Sequence, residues 1–169
     1  MNGQITVDAN VMHGFTHSLI KDVASAERQI VEHITAQHSF AIDDTGKIEH
    51  QWLETCGKSV FGEWFYSQLQ KGVVKKVASK LDASHKKKLQ NECGMPMRGE
   101  IIYVAVAAVT DNRLIVTEDI DFWEPSAKLK SNEIKQKIKI SGKGSVCKYL
   151  AKHLQITVAT SSMALAKLQ

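Results

Sequence analysis

Ile115-Val116-Thr117-Glu118-Asp119-Ile120-Asp121-Phe122 is the stretch whose reading decides the fold. An apolar run passes straight into acidic residues one residue apart. That is the pattern of a parallel strand delivering carboxylates to its C-terminal edge, where open α/β sheets place their sites. The N-terminus repeats it, since Ile5-Thr6-Val7 ends in Asp8-Ala9-Asn10. Two such strands in one sheet pool their charge. Carboxylates gathered at one edge repel each other unless a divalent cation lies among them, and hard oxygen ligands select Mg²⁺ or Mn²⁺.

Working outward, strand-like and helix-like segments alternate. A first strand is expected over about 4–7. Between Phe15 and Gln37 the apolar residues Phe15, Leu19, Ile20, Val23, Ala26, Ile30 and Ile34 recur at helical spacing, which predicts one long or two short amphipathic helices. A second strand is expected over 38–42, with Asp43-Asp44-Thr45-Gly46 as a turn. Helices follow over 48–56, 60–70 and 84–92, the last stopped around Gly94 and Pro96. The run Ile101 to Val109 is apolar all round, so periodicity leaves it open, and its alanines favour a buried helix. A strand at 114–116, further structure over 132–140 and 145–154, a final strand at 156–160 and a short C-terminal helix complete the chain. Strands separated by helical segments of this length predict an α/β fold, a three-layer α/β/α sandwich with a mainly parallel central sheet. With only Pro96 and Pro125 as prolines and no low-complexity stretch, the 169 residues read as one domain with its core over about 4–160.

Each acid has an ordinary structural explanation as well as a functional one. Asp8 can be a helix N-cap. Asp119 and Asp121, an i, i+2 pair, face one side if the backbone is extended, or else form an Asx turn. Glu118 then alternates toward the surface. Glu100, immediately before the apolar run, suits the first turn of a helix. Thr117 and Asn10 stand where they can orient a carboxylate by hydrogen bonds.

These blocks together resemble the PIN-domain nucleases. The resemblance rests on Val7-Asp8-Ala9-Asn10-Val11, on Val116-Thr117-Glu118-Asp119-Ile120-Asp121-Phe122, and on Glu100 opening the run 101–109, and it spans roughly Ile5 to Val158. It implies a helix over that run and a metal-dependent endonuclease, a ribonuclease, in which Asp8, Glu100, Asp119 and Asp121 hold one or two Mg²⁺ or Mn²⁺ ions. A metal-bound water would attack phosphorus, with no protein nucleophile. Single-stranded RNA is the implied substrate. The family's toxin–antitoxin members point to an antitoxin-like or other protein partner, and a homodimer is compatible with this role. Where the family often carries a helix Glu, this chain has Gln51, with Glu49, Glu54 and Asp43 as weaker candidates for the missing acid. Gln51 therefore motivates a second expectation, a PIN-like module that binds nucleic acid or protein without catalysis. A third, a haloacid-dehalogenase-like phosphotransferase, rests on Asp8-Ala9-Asn10-Val11-Met12, where Asn10 replaces the acid needed to protonate a leaving group.

Charge and composition fit these expectations. The formal charge is +4. Lysines crowd the segment 128–148, and Lys135, Lys137, Lys139 and Lys143 are the expected phosphate contacts. His85-Lys86-Lys87-Lys88 is a second basic run, and a solvated surface explains either run without function. His13 and His17 have zinc-ligand spacing but lack the intervening Glu of a His-Glu-x-x-His site. The chain contains neither a phosphate-cradling Gly-x-x-x-x-Gly-Lys-Ser/Thr loop nor a Gly-x-Ser-x-Gly elbow. Cys56, Cys93 and Cys147 lack metal or disulfide spacing. No apolar run approaches the ~20 residues of a membrane span, and no basic-then-apolar leader is visible, so the cytoplasm is the expected compartment and no membrane partner is expected. Phe61, Trp64 and Phe65 fall on one helical face and read as core.

Overall fold

The computed structural model describes residues 3–169. Five strands, β1 (Gln4–Val7), β2 (Ser39–Asp43), β3 (Val74–Val77), β4 (Leu114–Val116) and β5 (Thr157–Ala159), form one sheet in the order β3-β2-β1-β4-β5. Every pairing is parallel. Helices α1 (Ala9–Lys21), α2 (Ala26–Gln37), α3 (Lys47–Cys56), α4 (Val60–Gln70), α5 (Ala83–Asn91), α6 (Ile101–Ala108), α7 (Asn132–Ser141), α8 (Ser145–Leu154) and α9 (Ser161–Leu168) flank it. The result is the α/β/α sandwich expected from the alternation of patterns. Ile5, Val7, Phe40, Ala41, Ile42, Ile115 and Val116 are all fully buried, as strands covered on both faces must be.

The ambiguous run at 101–109 is a helix, and it packs across β1, β2 and β4. The helical segment after β1 divides into two at residues 22–25, where Asp22 takes a left-handed conformation and the Ser25 hydroxyl caps α2. Strand β3 has no counterpart in the sequence reading. Its Val-Lys-Lys-Val pattern carries two lysines, which only an edge strand tolerates, and β3 is an edge of this sheet. Phe61 and Phe65 are fully buried and stacked, and Trp64 packs against Phe61, so the aromatic stripe of α4 is core.

Two features of this topology position the site. The strand order reverses between β1 and β4, which are reached from opposite directions, and the crevice at their carboxyl ends is the switch point of the sheet. Asp8 follows β1 and Thr117 to Asp121 follow β4, so both acidic segments leave the sheet there. Trp52 of α3 is fully buried, and its indole donates to the Val7 carbonyl over 3.1 Å. It thereby pins α3, and with it Gln51, beside the end of β1.

Candidate metal centre

Asp8 ends β1 and caps α1. Its Oδ1 accepts the Ala9 N–H at 2.7 Å, while its Oδ2 accepts from the Thr117 hydroxyl at 2.7 Å and from the Asn10 amide at 3.0 Å. The Asn10 carbonyl oxygen accepts the Glu118 N–H at 3.2 Å, and Thr117 Oγ accepts the Asp119 N–H at 3.0 Å. Asn10 and Thr117 therefore stitch the end of β1 to the segment after β4, the orienting positions expected for them. Burial raises the Asp8 carboxyl to about 6; the Thr117 bond opposes this, and the charges of Asp119 and Glu100 add to it. Because the folded chain holds this proton more tightly than the unfolded chain, metal-free stability should fall as pH rises from about 4 through 6, by up to ~3 kcal/mol. Urea unfolding in EDTA at pH 5 and pH 7.5 checks this, and Asp8→Asn should flatten the difference.

Beyond Thr117 the chain turns. Asp119 is extended and caps a single 3-10 turn, Ile120–Phe122, accepting the Asp121 N–H at 3.0 Å. Of the two arrangements expected for Asp119 and Asp121, the Asx turn is the one found: the turn, not strand alternation, brings the two carboxylates to one side. Glu118 is not a surface residue either. It is half-buried, and its Oε1 accepts the Ser161 N–H at 2.7 Å at the start of α9.

Glu100 stands at the start of α6, where the helix dipole favours an acid, but its side chain makes no capping bond there. Glu100, Asp119 and Asp121 each offer a carboxylate oxygen within 4.8 Å of the others. Burial raises the Glu100 carboxyl above its ordinary range, with the charges of Asp119 and Asp121 adding to the effect. Asp121 is fully buried. Among the described residues, Glu100 Oε2 and Asp121 Oδ1 are buried without a hydrogen-bond partner. Buried carboxylate oxygens cost several kcal/mol when left unpaired, and the mutual repulsion of three acids this close adds to that cost. Their all-oxygen donor set fits Mg²⁺ or Mn²⁺. Asp8 stands just behind this group, joined to it through the Thr117 hydroxyl and by its charge.

Lys128, expected with the rest of the segment 128–148 to face phosphate or solvent, is the one cation bonded to the cluster among the described residues. Its ammonium lies 2.9 Å from Asp121 Oδ2, and its side chain is 62% exposed. The link depends on a second 3-10 turn, Pro125–Ala127, that folds the chain back; no periodicity in the sequence foretells it. A divalent ion entering the cluster would compete with this ammonium. Lys128→Met should therefore tighten Mn²⁺ binding about fivefold, the scale of a partly exposed ion pair, as titration calorimetry would register.

The weaker candidates divide. Gln51 does reach the site's border: its amide donates to the Gly99 carbonyl at 3.3 Å and its carbonyl accepts from Tyr103 at 2.9 Å. Glu49 pairs with Lys76 at 3.8 Å, and Glu54 with His50 at 3.5 Å on the surface. Asp43 is buried but holds the start of α3, accepting from Lys47 N, Ile48 N and the Thr45 hydroxyl. Burial would raise its carboxyl, yet those donors hold it below the usual range. None of these three belongs to the cluster. Among the expected phosphate contacts, Lys139 is corrected: it is 6% exposed, donates to the Glu118 carbonyl and lies over the Trp123 ring at 5.4 Å. Burial lowers its affinity for the proton. It braces the acidic segment from beneath. Lys137 pairs with Glu133 at 3.4 Å on the exposed face of α7, and Lys135 and Lys143 reach solvent. His13 and His17 are both exposed and belong to no metal-ligand group among the described residues.

In comparison with known proteins, no family model matches the chain, and no curated protein or solved structure matches it either. Among the described residues, no helix is long and apolar enough to cross a membrane.

Proposed function

We propose that the protein is a metal-dependent phosphodiester hydrolase acting on RNA, with Glu100, Asp119 and Asp121 as its metal ligands and Asp8 completing the acidic site. The observation that carries the reading is the pair of orphaned, buried carboxylate oxygens on Glu100 and Asp121 at a cluster on the switch point of the sheet. The PIN-like order of motifs agrees with it. Mg²⁺ or Mn²⁺ bound there would acidify a water and stabilise negative charge on phosphoryl oxygens.

The chain's own residues supply positioning. Thr117 fixes Asp8 and Asp119 relative to each other through one hydroxyl. Asn10 holds the Asp8 carboxylate and the Glu118 backbone at once. Asp119 spends one oxygen on the turn that presents Asp121. Gln51 locks Gly99, and so the approach to Glu100, against α3.

A non-catalytic PIN-like module is the second reading, favoured by the neutral Gln51 at the border of the site and by the Lys128 ammonium already paired with Asp121. One experiment separates the two. Purified protein with Mn²⁺ should cleave single-stranded RNA and stop on addition of EDTA. Mn²⁺ binding without cleavage selects the module; absence of Mn²⁺ binding removes both the metal centre and the hydrolase.

A further inference from the structure

A cavity of about 530 Å³ opens beside the acidic cluster, between α3, the segment joining β3 to α5, and the start of α6. Its size is that of a small-molecule site. Lys47, Lys80, Lys86 and Arg98 line it against a single carboxylate, Glu54. All four cations are exposed and none is in an ion pair among the described residues, so their charge is available to a ligand. The deeper wall is apolar, built from Leu81, Ile102 and Ala105. A third element is polar: Ser79 Oγ, also at the wall, is buried with no hydrogen-bond partner among the described residues. The cavity adjoins the acidic cluster, because Gln51 and Gly99 line it and Glu100 follows Gly99.

A cationic rim over an apolar slot with a free hydroxyl matches a ligand that is anionic at one end and flat and apolar at the other. We propose that the cavity seats one nucleotide of the substrate strand, its base against Leu81 and Ile102 and its phosphate at Lys80, Lys86 and Arg98. The assignment rests on the hydrolase reading for its meaning, since the seated nucleotide would set the adjoining phosphodiester over Glu100 and Asp121. It differs from the lysine-rich segment 128–148 as the place where RNA is held. Four cations also suit any polyanion, but the apolar wall has no use in binding one.

The test uses adenosine 5′-monophosphate as probe and the full chain in EDTA, followed by amide chemical shifts. Shifts should concentrate at Ser79 to Leu81 and Gly99 to Ile102. Lys80→Ala combined with Arg98→Ala, both at exposed positions, should weaken binding at least about tenfold, as the loss of charge-assisted hydrogen bonds requires. Adenosine alone and inorganic phosphate alone should each bind more weakly than the nucleotide. The inference is overturned if inorganic phosphate or an acidic peptide such as tetraglutamate binds as tightly as the nucleotide. Shifts that centre on α7, or a double variant that binds like the parent, overturn it equally. Because EDTA removes metal, the outcome is separate from that of the metal centre. Nucleotide binding in a chain that takes no Mn²⁺ supports the cavity without the hydrolase, and Mn²⁺ binding without nucleotide shifts retires the cavity while leaving the hydrolase standing.

Discussion

Asp121→Asn should reduce Mn²⁺-dependent cleavage of single-stranded RNA by about a thousandfold, roughly 4 kcal/mol of lost transition-state stabilisation, while leaving the chain folded. Asp121 combines complete burial, an unpartnered oxygen and a place in the three-carboxylate group. Asparagine has the same shape. Turned so that its oxygen accepts from Lys128, it points its NH₂ at the neighbouring carboxylates, a neutral donor where the proposed centre would hold a divalent cation. The substitution also removes one of the charges that raise Glu100, so metal-free stability should hold or rise. Single-turnover cleavage and Mn²⁺ calorimetry on the same preparation provide the measurement. Unchanged calorimetry would show that Asp121 is no ligand. Cleavage by the parent protein that survives EDTA would exclude the metal mechanism altogether.

The sequence made the sheet and most helices readable because both faces of the central strands are buried, so their apolar runs are uninterrupted. Strand β3 escaped because two lysines interrupt it at the sheet edge. Asp8, Asp119 and Asp121 are visible as residues that follow strands, and parallel strands sharing one carboxyl edge bring them together, while Glu100 is visible only as the acid that opens the apolar run of α6. What the sequence could not show is how the chain turns after Asp119. The 3-10 turn is closed by the backbone bond from Phe122 N–H to the Asp119 carbonyl and capped by the side-chain bond from Asp121 N–H to Asp119, and a short Asp-x-Asp segment is equally compatible with extended backbone. The inward roles of Lys128 and Lys139 are unreadable for a similar reason. Both sit in a lysine-rich segment that looks uniformly solvated, yet one reaches Asp121 and the other is buried over Trp123. Charge runs in sequence carry no direction; the backbone decides which lysine faces inward. The cavity beside Gly99 draws on residues from 45 to 105, a spacing that no local pattern reports.

The same acidic segment is held from its far side by a backbone contact that only glycine permits. Gly144, at the N-terminus of α8, has ordinary extended torsions, φ −71° and ψ 151°, so strain is not the constraint. Close approach is: a Cβ there would lie 2.0 Å from the Trp123 carbonyl oxygen and 2.2 Å from its carbon. That carbonyl accepts the Val146 N–H at 3.0 Å and the Cys147 N–H at 3.4 Å, and Glu124 accepts the Ser145 N–H at 3.3 Å, so the first N–H groups of the helix face the end of the turn that carries Asp121. Trp123 is itself fully buried, and neither backbone can yield without losing core contacts. Gly144→Ala should therefore cost about 4 kcal/mol or more, a fall in Tm of roughly 10 °C for a chain of this size. Gly142→Ala is the control. It too replaces a glycine near the start of α8, at φ 64°, but nothing lies within 4 Å of its Cβ, and only the left-handed torsion costs it, about 1 kcal/mol. The two variants should also differ in Mn²⁺ affinity, because displacing Trp123 moves Asp121 away from Glu100 whereas a strained helix end at 142 does not. Equal Tm values for the pair would mean that α8 slides freely over Trp123, and that the acidic turn draws its geometry from the Asp119 cap and Lys139 alone.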